Sequence, residues 1–200
     1  MREKNNFSVV ILAAGLSERM GMPKMFLKWH NLTFIENIVE GYSKFGCKEI
    51  IIVLNERDKL QFENLNLSGR GIITVINEHI DYGRFYSLKL GLSTLSDAGN
   101  CFINNVDSPF AELTILSSMS QLVNNDNYVV SVFQKRKGHP VLINKKIVND
   151  ILSEKDFSLN INVFLKKYNC SLCNVHTEKI FVNINTIEDL KIFYKIYNET

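Results

Sequence analysis

The chain has no apolar run near the roughly 18 residues that a spanning helix needs, which excludes one. It has no excess of either charge. Its 23 Lys and Arg face 21 Asp and Glu, a formal net charge of +2, which is no electrostatic footprint for nucleic acid. Cysteine is scarce, at four. Cys170-Ser171-Leu172-Cys173 is a lone C-x-x-C with no second pair and no His pair at ligand spacing. His176 nearby would leave it short of the four ligands of a structural zinc site. Cys47 and Cys101 sit at apolar strand edges and read as small core side chains. No Ser-His-Asp or Cys-His constellation stands out. Repeats, linkers and low-complexity tracts are absent as well. One domain over residues 1–200 is therefore expected. Met1 to Asn6 is charged and polar, without a signal-peptide apolar core, so the expected location is the cytoplasm.

What is present suits a packed enzyme-sized domain. The chain is 46% hydrophobic and 22% charged, enough to bury a core. Strand and helix patterns alternate, which predicts a three-layer α/β/α sandwich on a mostly parallel sheet. Strands are expected over 8–12, 49–54, 71–76, 101–104, 128–133, 138–143 and 181–184. In the sixth, Gly138-His139 reads as a turn into the strand. Helices are expected from Thr33, where Glu36 completes a capping box, and over 57–64, 87–95, 112–123, 145–152 and 161–168. Thr186 opens the last, with Asp189 completing its cap.

The most informative stretch runs from Val10 to Lys24, VILAAGLSERMGMPK. An apolar strand ends in Ala13, Ala14 and Gly15, whose small side chains let backbone N–H groups approach an anion. Arg19 and Lys24 can add charge-assisted bonds to phosphate oxygens, and Pro23 fixes the backbone before Lys24. Neither G-x-x-x-x-G-K-[ST] nor G-x-G-x-x-G is present.

The order L-A-A-G-x-S-x-R-M-G-x-P-K resembles nucleotidyltransferases of the nucleoside-diphospho-sugar transferase fold, above all the molybdenum cofactor cytidylyltransferases. That resemblance implies a nucleotide-binding set of Leu12, Ala13, Ala14, Gly15, Ser17, Arg19 and Lys24, with Leu12 and Ala13 backbone at the base edge. Asn77 and the segment Gly83 to Leu92 resemble the part of the family near base and ribose, which adds Gly83 and Ser87. Glu78 stands where Pro is usual. The plain alternative is an N-capped helix. Asp107-Ser108-Pro109 matches the family's D-x-P. A carboxylate held at a strand end suits Mg²⁺, although Asp is also common in turns. Asn185, in Asn183-Ile184-Asn185-Thr186-Ile187-Glu188-Asp189-Leu190, matches the residue that shares this metal; alternatively it only caps the last helix. Gly138-His139-Pro140-Val141-Leu142 matches G-H-P-V-L, which implies that His139 is on the acceptor side. Its alternative is a turn histidine.

The implied chemistry is transfer of a nucleotidyl group to an acceptor phosphate with release of pyrophosphate. Arg19, Lys24 and Asp107 would be the catalytic set, and Asp107 with Asn185 would hold Mg²⁺. The Ala-Ala form of the loop resembles CTP users, and molybdopterin is the implied acceptor. The family's G-D-x-G-A-R loop is replaced by Lys155-Asp156-Phe157-Ser158-Leu159-Asn160, of which only Asp156 matches. This leaves two alternatives: another phosphorylated acceptor, such as a sugar or alcohol phosphate, or a nucleotide-binding regulatory module without turnover.

Overall fold

A computed structural model describes residues 6–65, 67 and 71–197, so the lead-in Met1 to Asn6 lies outside the described residues except for Asn6. Nine strands and seven α-helices follow in order among them: β1 (Phe7–Leu12), β2 (Lys28–Trp29), β3 (Leu32–Thr33), α1 (Phe34–Phe45), β4 (Glu49–Leu54), α2 (Lys59–Glu63), β5 (Ile72–Ile76), α3 (Gly83–Ser93), β6 (Asn100–Asn105), α4 (Leu113–Leu122), β7 (Asn127–Phe133), β8 (Arg136–Ile143), α5 (Lys145–Ser153), α6 (Ile161–Leu165), β9 (Asn169–Asn174) and α7 (Ile187–Tyr197).

Seven strands form one sheet in the order β5-β4-β1-β6-β8-β7-β9. All neighbours pair in parallel except β8, which is antiparallel to β6 and β7. β1 and β4 read as nearly unbroken apolar runs because both faces of the sheet are covered. Val9 and Ile11 pack with Ile38, Tyr42 and Leu116 of α1 and α4. Val10 packs on the opposite face with Leu88, Ile147 and Ile151 of α3 and α5. These two cores are the outer interfaces of the α/β/α sandwich. Gly91 lets α3 lie close, since a Cβ there would sit 2.5 Å from Val10 Cγ1 and 2.9 Å from Val53 Cγ2. A third core gathers Met20, Leu27, Phe34, Phe110, Ile184 and Phe193 beneath α7, with Trp29, Leu190, Tyr194 and Tyr197 against it.

The capping box of α1 is complete: Thr33 Oγ1 accepts from Glu36 N–H, and the Glu36 carboxylate accepts from Thr33 N–H at 2.7 Å. In α7, the Asp189 carboxylate accepts from the N–H groups of Asn185 and Thr186 at 2.9 and 2.8 Å.

Four elements differ from the sequence expectation. Residues 181–184 form no strand; a 3-10 turn over Glu178–Phe181 leads into an irregular segment that buries Ile180 and Ile184. Gly138 and His139 lie within β8 rather than in a turn, because the turn is four residues earlier. Gln134 and Lys135 both take positive φ there, 48° and 65°, the twist of a two-residue hairpin. α3 begins at Gly83, one turn before Ser87. The expected helix over 161–168 stops at Leu165, and the C-x-x-C stretch after it forms β9. Cys170 and Cys173, three apart on a strand, point to opposite faces, and all four thiols are free. Among the described residues, no helix is long and apolar enough to cross a membrane.

Candidate active site

In an open α/β sheet, ligands meet the carboxyl ends of the parallel strands. A cleft of about 730 Å³ lies there in this chain, over the ends of β1 and β6 and the start of α3. From the sequence-derived set it is lined by Leu12, Ala14, Gly15, Ser17, Arg19, Lys24, Gly83, Ser87, Asp107 and Asn185.

The loop after β1 is held from behind. Asn55 Nδ2 donates to the Ala14 carbonyl at 3.1 Å, and the Arg57 guanidinium donates to the Leu16 carbonyl at 3.1 Å. Lys24 N–H lies 3.4 Å from Ser17 Oγ, which closes the loop, and Ser17 itself takes a positive φ of 54°. Among the described residues, the N–H groups of Gly15 and Leu16 have no acceptor. A Cβ at Gly15 would meet no heavy atom within 4 Å, so this part of the loop is bare on its cleft side.

Asp107 follows β6 in a turn fixed by a buried network. Asn104 accepts from Tyr42 Oη at 3.0 Å and donates to the carbonyls of Asn105 and Ser108 at 2.9 and 3.1 Å. Asn185 arrives from the other side of the cleft. Its Nδ2 donates to Asn183 Oδ1 at 2.7 Å, which turns Oδ1 towards Lys24. Lys24 Nζ donates to that oxygen at 2.6 Å and lies 3.9 Å from Asp107 Oδ2, with side chains only 12% and 18% exposed for Lys24 and Asp107. Burial is the largest influence on the Lys24 ammonium and lowers its pKa. Asp107 opposes this, while Arg19 and Arg84 reinforce it.

Two hard oxygen donors thus converge on one cation, the ammonium. Among the described residues there is no group of three or more His, Cys, Asp or Glu placed to hold a metal. A divalent ion here would need substrate phosphates and water to complete its shell. Mg²⁺ is commonly held in that way, so the residues present fit it.

Three sequence-derived residues are not at the cleft wall. Ala13 donates its N–H to the Val53 carbonyl at 2.9 Å and turns its methyl into the core, so its N–H is not a free donor for a phosphate or base. Leu12 reaches the wall, but its carbonyl already accepts from Val106 N–H at 3.1 Å. Asn77 is buried behind the wall, where it donates to Ser87 Oγ at 2.9 Å and accepts from His79 N–H at 2.8 Å. His139 sits behind Asn105, with Nε2 3.5 Å from Asn105 Nδ2. Burial lowers the His139 pKa, and Arg84 lowers it further against the pull of Asp107. Sequence reasoning missed Arg84 and Asn105, both of which line the cleft. The only sequence signal for Arg84 is its place after Gly83, and for Asn105 its place at a strand end.

The sequence profile of the MobA-like NTP transferase domain matches residues 9–162. The chain belongs to the MobA-like NTP transferase family. The chain is 26% identical over 191 residues to the molybdenum cofactor cytidylyltransferase of Escherichia coli strain K12, covering 95% of this chain and 96% of that one. It is equally 26% identical, over 214 residues, to a probable molybdenum cofactor guanylyltransferase of Natranaerobius thermophilus, covering 98% of each. A nucleotidyl transferase from Methanothermobacter thermautotroptrophicus superposes with a TM-score of 0.80 at 20% identity, covering 98% and 99% of the two chains, and shares the fold. This chain is a nucleotidyltransferase of the MobA-like family, whose members bind a nucleoside triphosphate and a phosphorylated acceptor.

Proposed function

We propose that this MobA-like enzyme transfers CMP from CTP to the phosphate of molybdopterin and releases pyrophosphate. The observation that carries this reading is the convergence of Lys24, Asp107 and Asn185 at the mouth of the phosphate loop. An oxygen of the acceptor phosphate attacks the α-phosphorus. The bond from that phosphorus to the oxygen bridging the α- and β-phosphates breaks, and pyrophosphate leaves with that oxygen and the electron pair. A phosphate monoester is largely dianionic at neutral pH, so no general base is required. The residues supply position and charge. Gly15 and Leu16 N–H groups receive phosphate oxygens. Arg19 and Lys24 balance charge on the α-phosphate and the departing pyrophosphate. Asp107 and Asn185 would hold Mg²⁺, which when bound would polarise the phosphate oxygens as a Lewis acid.

The small Ala14 side chain on the cleft wall supports a pyrimidine whose polar edge meets backbone. Mg²⁺ as the metal and the cytoplasm as the location belong to the same reading. The test is pyrophosphate release from molybdopterin with CTP, GTP, ATP and UTP, alongside calorimetry of each nucleotide with Mg²⁺. CTP should lead and UTP should fall between it and the purines, because a site that bonds one base edge rejects a base that leaves those bonds unmade. Tighter binding of GTP than CTP would overturn the cytidylyl assignment.

A second reading, the same transfer to another phosphorylated acceptor, is favoured by one feature. Phe157, from the segment that replaces the family's acceptor loop, stacks on Tyr82 with centroids 5.9 Å apart and meets Tyr86 edge-on at 5.2 Å. Release of pyrophosphate with a sugar or alcohol phosphate and not with molybdopterin would decide for it.

A further inference from the structure

We propose that Lys24 is a tethered cation that keeps the metal position closed until a nucleotide draws it away, so that metal enters with the nucleotide and not ahead of it. The inference rests on the reading of Asp107 and Asn185 as the metal's protein ligands. Its observation is independent of that reading: Lys24 Nζ takes 2.6 Å from Asn185 Oδ1 and 3.9 Å from Asp107 Oδ2, and so uses both oxygens. Both oxygens are carried on hydrogen-bonded supports. The Asn185 amide is fixed by its bond to Asn183 Oδ1, and its backbone by Asp189. The turn that carries Asp107 is fixed by Asn104. A divalent ion would have to sit a few ångströms from the ammonium, where like charges repel strongly even at the effective dielectric of a protein surface.

The lysine, in contrast, can move. Its charge is at the end of a flexible four-carbon stem whose root is pinned by the buried Met25 beside it. Triphosphate oxygens seated on the Gly15 and Leu16 N–H groups would offer the ammonium new acceptors on the same side of the cleft. The same swing that frees Asp107 and Asn185 brings Lys24 to the phosphates. One residue therefore couples nucleotide arrival to the opening of the metal position.

The test needs no turnover. Manganese alone, without nucleotide, is titrated into the full-length chain and its free form is followed by electron paramagnetic resonance. The parent chain should bind Mn²⁺ weakly. Lys24→Met, which keeps length and loses charge, should bind it at least about tenfold more tightly. Lys24→Arg, which keeps the charge, should stay weak. Adding Asp107→Asn to Lys24→Met should abolish the gain. Equal affinity of the parent chain and Lys24→Met, with Asp107→Asn weakening both, would overturn the gate and leave the metal site standing. Tight binding by Lys24→Met that ignores Asp107→Asn would overturn the metal site itself. Lys24→Gln takes the place of Lys24→Met if the latter loses its cooperative melt.

Discussion

The main-chain carbonyl of Asp107 accepts the N–H of Ile184 at 2.9 Å. Beside it, Ser108 Oγ donates to the Val182 carbonyl at 2.7 Å. These two bonds fix Asn185, one residue beyond Ile184, against Asp107 across a long stretch of sequence. The two oxygens are therefore preorganised by backbone and not by side-chain chance.

Lys24→Ala should keep the fold and lose turnover far more than nucleotide affinity. Removing one donor to developing charge typically costs about 10²–10³ in kcat. Steady-state pyrophosphate release, with circular dichroism as the control for folding, measures this. A turnover within about twofold of the parent would remove Lys24 from the transition state.

Asp107→Ala should abolish metal-dependent turnover. Its carboxylate is the charged member of the proposed metal pair, and Asn185 supplies no charge. A Mg²⁺ titration that reproduces the parent's activation curve would place the metal elsewhere.

Gly15→Val should leave stability within about 0.5 kcal/mol, because a side chain there points into open space. The same side chain stands where phosphate would sit, so CTP affinity should fall at least about tenfold by calorimetry. Parental CTP affinity in this variant would show that the loop does not carry the nucleotide.

His139 should make stability fall on acidification. Its folded pKa lies below its ordinary value, chiefly because of burial, so the unfolded chain takes the proton more readily. The stability held by the neutral imidazole is complete above about pH 6.5 and declines as pH drops through that value towards the lower folded pKa. Thermal melts of the parent and of His139→Gln between pH 8 and pH 5 should diverge in slope below about pH 6.5. Parallel curves would contradict this.

Thr33→Ala should cost about 1 kcal/mol, the worth of an N-cap, and lower Tm by about 2–4 °C. The capping box it breaks starts the helix that packs Tyr42 behind Asn104. An unchanged Tm would mean that tertiary packing alone sets this helix start.

Elements whose signal is local were legible in the sequence. Thr33 and Glu36 announce α1, and the apolar spacing from Ile35 to Phe45 continues it on one face. Elements made by distant partners were not. β9 has no β-branched residue, and its pairing is supplied by β7. The alternation at 181–184 imitates a strand, yet Ile180 enters the first core and Ile184 the third, and the chain passes from one to the other without pairing in a sheet. In the site, the small-residue loop and the Asp107 turn were visible because their residue types are unusual in that order. Asn105 and Arg84 were not visible, since each is an ordinary polar residue until the sheet carries it to the cleft. Ala13 was visible by its smallness, which in the fold goes with a methyl in the core and an N–H bonded to Val53.

The bare α-carbon of Gly91 acts at a distance. With Val10 and Val53 directly under it, a methyl group there would lift α3 off the sheet. A helix is stiff over this length, so the lift would travel about two turns to its first residues. Arg84 and Ser87 ride on that end. A hydrogen atom in the packed interior thus sets the height of one wall of the cleft, like a shim under one end of a beam.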